Sequence, residues 1–158
     1  MWYFKSALGW VLFSFLLTLS RPGFAEQPEA LVIVVNASIG GDLSEEFVKH
    51  LYLGTVKAFP KGEVAIPLNL GPKHPLRGRF EKTYLKRSRA FLKANWSRLL
   101  FTGKGTPPLE LDSAKEVAAK VLNDKRYLGY TLASEVAPGL RIIAKLPEQA
   151  AQDANTDE

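Results

Sequence analysis

The 158-residue chain contains no cysteine and only two histidines, His50 and His74. The absence of cysteine excludes disulfides, cysteine nucleophiles, thiolate metal sites and a lipid-anchored cysteine. Two histidines far apart in the sequence, with no standout pair of carboxylates, indicate neither a metal cluster nor a Ser-His-Asp triad. The sequence therefore predicts no cofactor and no metal, and it predicts that the protein is not an enzyme.

Long uncharged apolar runs are also scarce, and the clearest one occupies residues 7–19. Lys5 precedes this run and Gly23-Phe24-Ala25 follows it, which is the order expected of a secretory signal peptide. A membrane anchor is the alternative, but the run is short for the ~20 apolar residues of a membrane-spanning helix. The sequence predicts a signal peptide over residues 1–25, cleaved after Ala25, and hence an exported protein.

The whole chain has a net charge of +5, and its positive charge is concentrated in one stretch. Ten Lys or Arg residues lie between Lys73 and Lys104, against one acid, Glu81. Residues 147–158 contain four acids among small polar residues and are predicted to be a disordered acidic tail. The body, residues 26–146, is predicted to be one domain and has a net charge of +7. Such a body suits an anionic ligand, an anionic surface, or solubility alone.

Apolar and β-branched runs alternate with helical patterns, which predicts an α/β fold. The first run, residues 31–35, is continuous and is typical of a strand covered on both faces of a sheet. Helices are predicted where a serine, or proline at a first helical position, precedes an apolar pattern. The further predicted strands are residues 64–68, 127–132 and 140–144, and the predicted helices begin near Ser44, Pro75, Ser88 and Ser113.

The helices predicted after Pro75 and Ser88 each carry one apolar stripe that should be buried. Phe91 and Trp96 lie among basic residues but fall on this apolar side, where core packing explains them better than base stacking. Nucleic acid is therefore not a predicted partner. The predicted buried positions are Leu76, Phe80, Tyr84, Leu92, Trp96, Leu99 and Leu100, with Val117, Val121 and Leu122 on the helix after Ser113.

The helix start at Pro75 is the strongest candidate for a ligand site. No Ser, Thr, Asp or Asn precedes it, so its first N–H groups are predicted to be uncapped and open to an anion. An arginine nearby can make bidentate contacts with phosphate or carboxylate oxygens. A solvated face with ordinary surface charges is the alternative. The candidate ligand-binding residues here are Lys73, His74, Arg77 and Arg79.

A second pair of candidates, Asn36 and Ser38, lies in the loop after the first predicted strand. Open α/β sheets commonly bind ligands at strand ends, and these side chains could supply amide and hydroxyl donors. The alternative is that they satisfy the loop's own backbone.

Several short motifs follow one another in a recognisable order. They are Leu53-Gly54, Phe59-Pro60, Ile66-Pro67, Arg77 with Phe80, Trp96, Phe101-Thr102-Gly103-Lys104-Gly105 with Pro107-Pro108, and Leu128-Gly129-Tyr130. Together, over residues 30–144, they resemble the short phosphate ABC transporter substrate-binding-like proteins of the type 2 periplasmic binding protein superfamily.

This resemblance implies a three-layer α/β sandwich corresponding to one lobe of a receptor whose two lobes close around an anion. It implies a periplasmic, non-catalytic protein that binds phosphate or a similar oxyanion and meets an ABC permease or another envelope protein. The family's ligand loop corresponds to residues 69–76, which lack its Ser-Gly-Thr segment. Because one lobe forms only one wall of a cleft, a homodimer could supply the second wall. The alternative is an accessory module that has lost ligand binding and contacts an acidic protein or the envelope surface.

Overall fold

A computed structural model describes residues 29–146, so the signal peptide and the acidic tail predicted from the sequence lie outside the described residues. The strands are β1 (Leu31–Asn36), β2 (Ile66–Leu70), β3 (Leu109–Leu111), β4 (Tyr127–Leu132) and β5 (Leu140–Lys145). The α-helices are α1 (Glu45–Leu53), α2 (Pro75–Arg79), α3 (Arg89–Phe101) and α4 (Ala114–Asn123). A π-helix, Phe80–Leu85, continues α2, and a 3-10 helix, Ala133–Glu135, follows β4.

The five strands form one mixed sheet in the order β3-β2-β4-β1-β5. Strand β2 is parallel to β3 and β4, whereas β1 is antiparallel to both of its neighbours. Val35 near the end of β1 and Pro67 near the start of β2 both pair with Leu128. The carboxyl ends of β1 and β2 therefore lie at opposite ends of the sheet.

Helices cover both faces of this sheet. Helix α4 packs on one face through the fully buried Val117 and Val121, which contact β4 and β1. On the other face, Tyr130 of β4 stacks on Phe80 of the π-helix, with ring centroids 4.1 Å apart. Residues 31–35 of β1 are completely buried between the two layers, as predicted. The expected three-layer α/β sandwich is confirmed.

The serine signals that start three of the helices are also confirmed. Each of three serine side chains accepts the backbone N–H three residues ahead, at 3.2 Å, which satisfies one of the free donors of a first helical turn. Gly54 ends α1 in the left-handed conformation with φ of 75°, which favours glycine. The serine pairs are Ser44 with Phe47, Ser88 with Phe91, and Ser113 with Glu116.

The helix predicted to continue from Pro75 changes type at Phe80. Its apolar stripe, Leu76, Phe80 and Tyr84, has a strict spacing of four residues. In a regular α-helix such a stripe turns by about 40° at each step, because the turn holds 3.6 residues. In the π-helix Phe80 and Tyr84 are both buried, and their rings stack with centroids 5.5 Å apart.

Three details of the sequence prediction are wrong. Strand β2 begins at Ile66, two residues later than predicted, and β3 is not among the strands predicted from the sequence. Strand β3 has only three residues and pairs with β2 alone, so it is too short to give a periodic signal. Of the predicted core positions, Leu100 and Leu122 are exposed.

The exposure of Leu100 follows from the narrow contact that α3 makes. Leu92 and Leu99 are its buried residues, while Phe91 is 48% and Leu100 57% exposed. The prediction that Phe91 packs in the core is therefore wrong as well. Helix α3 thus buries a narrow stripe of residues rather than a broad apolar face.

Candidate functional site

A cavity of about 420 Å³ lies where the chain leaves the carboxyl end of β2. Residues from β2, the π-helix and α3 form its wall, together with the segment that leads into β3. We refer to it as the β2 cavity. Its lining consists of Tyr52, Asn69, Pro72, Arg77, Glu81, Leu85, Arg89, Leu92, Lys93, Trp96, Ser97, Leu100, Pro107, Pro108 and Glu110.

Glu81 is the ionic centre of the β2 cavity, although its side chain is only 4% exposed. Its Oε1 accepts from Nε of Arg77 at 2.7 Å and its Oε2 from Nε of Arg89 at 2.9 Å. A buried carboxylate is costly unless it is paired and hydrogen-bonded, and here both oxygens are. Glu81 thereby holds the guanidinium groups of Arg77 and Arg89 in place on the same side of the β2 cavity.

Arg77 is further fixed by Nη1, which donates to the Leu70 carbonyl at 2.8 Å and to Oε1 of Glu110 at 2.6 Å. Burial lowers the pKa of Arg77, but the bonds to Glu81 and Glu110 outweigh it and raise the pKa above its ordinary value. The guanidinium therefore keeps its charge although its side chain is only 14% exposed. Arg89 is held in a similar way, since its Nη1 donates to the Pro72 carbonyl.

Asn69 completes the polar wall through a buried network at the end of β2. Its Oδ1 accepts from the Tyr130 hydroxyl at 2.5 Å and from the Leu70 N–H at 3.0 Å. Burial raises the pKa of Tyr130, so the phenol stays protonated and acts as a donor. Because the amide oxygen of Asn69 is used in this way, its Nδ2 is the group left for the cavity.

Three donors in the lining make no hydrogen bond to any of residues 29–146: Nη2 of Arg77, Nη2 of Arg89 and Nδ2 of Asn69. Lys93 also lines the cavity and is exposed. Against these cations stand the carboxylates of Glu81 and Glu110, so the lining has a small positive excess. Donors that are held in place and unused suit an anionic ligand.

Of the candidates near Pro75, only Arg77 lines the β2 cavity. The prediction of an uncapped helix start is wrong, because Nδ1 of His74 accepts the Leu76 N–H at 3.2 Å. This bond occupies one of the N–H groups at the start of α2 that was predicted to be open to an anion. Nη1 of Arg79 donates to the Glu29 carbonyl at 2.9 Å, and Lys73 lies exposed in the turn.

Asn36 and Ser38 lie at the other end of the sheet. Asn36 and Ile66 lie on either side of Tyr127, at the same level of the sheet. Leu70 is four residues beyond Ile66, so it lies about 13 Å from that level along the strand direction. The structure therefore does not bring these two candidates together with Arg77.

Local bonds occupy both of these side chains. Nδ2 of Asn36 donates to the Leu122 carbonyl at 2.9 Å, and its Oδ1 accepts from the Ser38 N–H at 3.0 Å and hydroxyl at 2.7 Å. The bond to Leu122 satisfies a carbonyl in the last turn of α4. This is the self-satisfied loop that the sequence left open as the alternative.

Sequence reasoning missed Asn69, Glu81, Arg89 and Glu110 as members of the site. Glu81 had a detectable signal, because it is the single acid in a basic stretch, follows the apolar Phe80 and lies four residues after Arg77. Asn69 and Glu110 lie on neighbouring parallel strands, and only the pairing of β2 with β3 brings them together.

Within residues 29–146, no group of three or more His, Asp or Glu side chains is arranged to hold a metal ion. None of the helices in this range combines the length and the apolar character needed to cross a bilayer.

The fold of the described residues is similar to one lobe of PstS-like periplasmic binding proteins, and three solved structures match it. An ABC-type phosphate transport receptor from Vibrio cholerae superposes with a TM-score of 0.56 at 15% identity, covering 73% of this chain and 45% of that one. A putative phosphate ABC transporter substrate-binding protein with bound phosphate from Clostridium perfringens gives 0.58 at 12% identity, covering 73% and 44%. PstS from Borrelia burgdorferi gives 0.55 at 12% identity, covering 73% and 47%.

The matched part of this chain thus corresponds to less than half the length of each of these receptors. The resemblance read from the sequence motifs is confirmed at the level of the fold. The expectation of a non-catalytic protein agrees with two of these neighbours, a phosphate transport receptor and a putative substrate-binding protein. No protein-family model matches the chain. No curated protein matches it in sequence.

Proposed function

We propose that this protein is an exported, non-catalytic binding protein that holds a small oxyanion such as phosphate in the β2 cavity. The observation that carries the proposal is one cavity lined by Arg77, Arg89 and Asn69, each of which has a donor that makes no hydrogen bond to residues 29–146. The fold supports it, since phosphate receptors share this lobe.

In this proposal Glu81 positions the two arginines before the ligand arrives. Each guanidinium donates to Glu81 through Nε, which fixes the side chain, and its Nη2 makes no hydrogen bond to residues 29–146. Hydrogen bonds between a guanidinium and an oxyanion are charge-assisted and are therefore stronger than those between neutral groups. The carboxylates of Glu81 and Glu110 limit the positive excess, so we expect modest affinity from this wall alone.

A second wall would increase the affinity by excluding water from the bound ion. The solved receptors are about twice as long as the matched region, and a second copy of this chain could take the place of their other lobe. We propose a periplasmic location and an ABC permease or another envelope protein as the downstream partner. Expression of the full-length gene and mass measurement of the purified product would show whether cleavage after Ala25 occurs.

The decisive experiment is calorimetric titration of the purified protein with phosphate and with sulfate at low salt. Arg89→Gln should weaken binding about tenfold or more, because a hydrogen bond to a charged group contributes about 1.5–3 kcal/mol. Arg98→Gln is the matched control, since Arg98 lies on the same helix and does not line the cavity. Equal affinity in the two variants, or no heat from a folded sample, would overturn the proposal.

The accessory module remains the second candidate because of one further observation. Lys82, Lys86 and Arg87 form an exposed basic group beside α3, and they make no ion pair with residues 29–146. The guanidinium of Arg87 lies 5.3 Å from the ring centre of the exposed Phe91. Two results together would favour this function. The protein would show no binding in the phosphate titration, and it would bind anionic vesicles in a salt-sensitive way that the double variant Lys82→Gln, Lys86→Gln abolishes.

A further inference from the structure

We infer that the preferred ligand of the β2 cavity is an organic monocarboxylate with an apolar body, rather than a bare inorganic ion. This inference rests on the proposed function, because the same donors would hold the carboxylate. It goes further by assigning a role to the remaining, apolar part of the lining.

The first argument is size. A cavity of about 420 Å³ lies within the range of roughly 300–1,000 Å³ typical of sites for small organic molecules. A phosphate or sulfate ion has only a handful of heavy atoms and would leave most of this space to water.

The second argument is the division of the lining into two chemically different parts. Donors and charges come mainly from β2, α2, the π-helix and the start of α3. Later in α3, Trp96 and Leu100 present apolar surface, and Pro107 and Pro108 continue it. Leu100 is 57% exposed, so the free protein leaves water against a leucine that a ligand could cover. Covering such surface is favourable by about 25 cal/mol per Å².

The third argument is charge. Arg77, Arg89 and Lys93 face Glu81 and Glu110 in the same lining, which leaves an excess of one positive charge. A singly charged head group neutralises this excess, whereas a doubly charged one would add repulsion from the two carboxylates. A carboxylate also matches the planar edge of an arginine.

The test compares three probes: acetate, which supplies only the head, phenylacetate, which adds an aromatic body, and 2-phenylethanol, which supplies the body without the charge. Trp96 lines the cavity, so its fluorescence and NMR titration both report occupancy. We expect phenylacetate to bind at least tenfold more tightly than either of the other probes. Phenylacetate binding no tighter than acetate would overturn the inference.

Two variants on one helix sharpen this test. Leu100→Ser should remove most of the preference for phenylacetate over acetate. Phe101→Ser is the control, because Phe101 is 94% exposed and lies outside the lining. Equal losses in both variants would contradict the assigned role of Leu100. Phosphate binding without a preference for phenylacetate would retain the proposed function and reject only this inference, whereas binding of neither phosphate nor phenylacetate would reject both.

Discussion

The two ends of the sheet contrast in how they use their polar side chains. At the end of β1, the Asn36 side-chain amide is hydrogen-bonded to the last turn of α4 and to Ser38. At the end of β2, Arg77 and Arg89 share the buried Glu81 and each retains a donor beside a cavity. A strand end with polar residues is therefore not enough for a site. The two strand ends differ in whether neighbouring residues accept hydrogen bonds from all the side-chain donors or hold the side chains in place and leave some donors without a partner.

The same contrast explains how charge is tolerated near the core. The β2 end buries Glu81 because two arginines reach it from different helical segments. At the start of β4, near the β1 end, Asp124 and Arg126 form a pair exposed to solvent. Buried pairs depend strongly on both partners, whereas exposed pairs contribute little. Substitutions at the two ends should therefore differ in size and in their effect on binding.

The largest effect should come from Glu81→Ala at the β2 end. It leaves Arg77 partly buried without its central partner, so we expect a loss of about 3 kcal/mol in the free energy of unfolding. Urea denaturation followed by circular dichroism measures it. Glu110→Ala is the control, because its side chain is 50% exposed and its pairing with Arg77 should contribute less than about 1 kcal/mol. Similar losses for the two variants would show that Glu81 is not the centre of the network.

Asn36→Ala should have an intermediate effect on stability. It removes the bond to the Leu122 carbonyl and the support of Ser38, at about 1 kcal/mol for each hydrogen bond lost. Because Asn36 is remote from the β2 cavity, phosphate affinity should stay the same. Paired denaturation and calorimetric titrations check both parts, with Ser38→Ala as a milder variant. A weakened phosphate affinity in Asn36→Ala would return this residue to the ligand site.

The smallest effect concerns the pH dependence of stability. Hydrogen bonds from Arg126 lower the pKa of Asp124 from 3.8 to about 2 in the folded protein. Its contribution is therefore present above about pH 4 and is lost as the pH falls towards 2. Asp124→Asn should lower stability slightly at pH 7 and flatten the acid limb of a stability curve measured by urea denaturation. Asp42→Asn, at an exposed aspartate, is the control, and an equal change there would refute the assignment.

Much of the fold could be predicted from the sequence because the signals are local. The β-branched run at residues 31–35 is buried as expected, and three serines cap the helices that they precede. Strand β4 has the predicted bounds, Tyr127–Leu132. Caps, turns and periodic patterns depend on residues within one or two turns of each other, so a single sequence displays them.

The candidate site was predicted less well, since its parts are distant in the sequence. The stretch around Arg77 is predicted from its helix start and its charge, and Asn36 and Ser38 are predicted as a second pair because they follow a strand. Only strand direction, with β1 antiparallel to its neighbours, separates them. Likewise, no local pattern states that Glu110 on β3 reaches Arg77, because the pairing of β2 with β3 sets that contact.

The sequence by itself determined the α/β class, the helix caps, the fully buried first strand and the basic character of residues 73–104. The tertiary structure alone decided which of those charges became a site. It turned Glu81 inward between two arginines and left Leu100 beside a cavity. The physical reason is that secondary structure follows from local propensity, whereas a binding site requires distant residues to share one desolvated space.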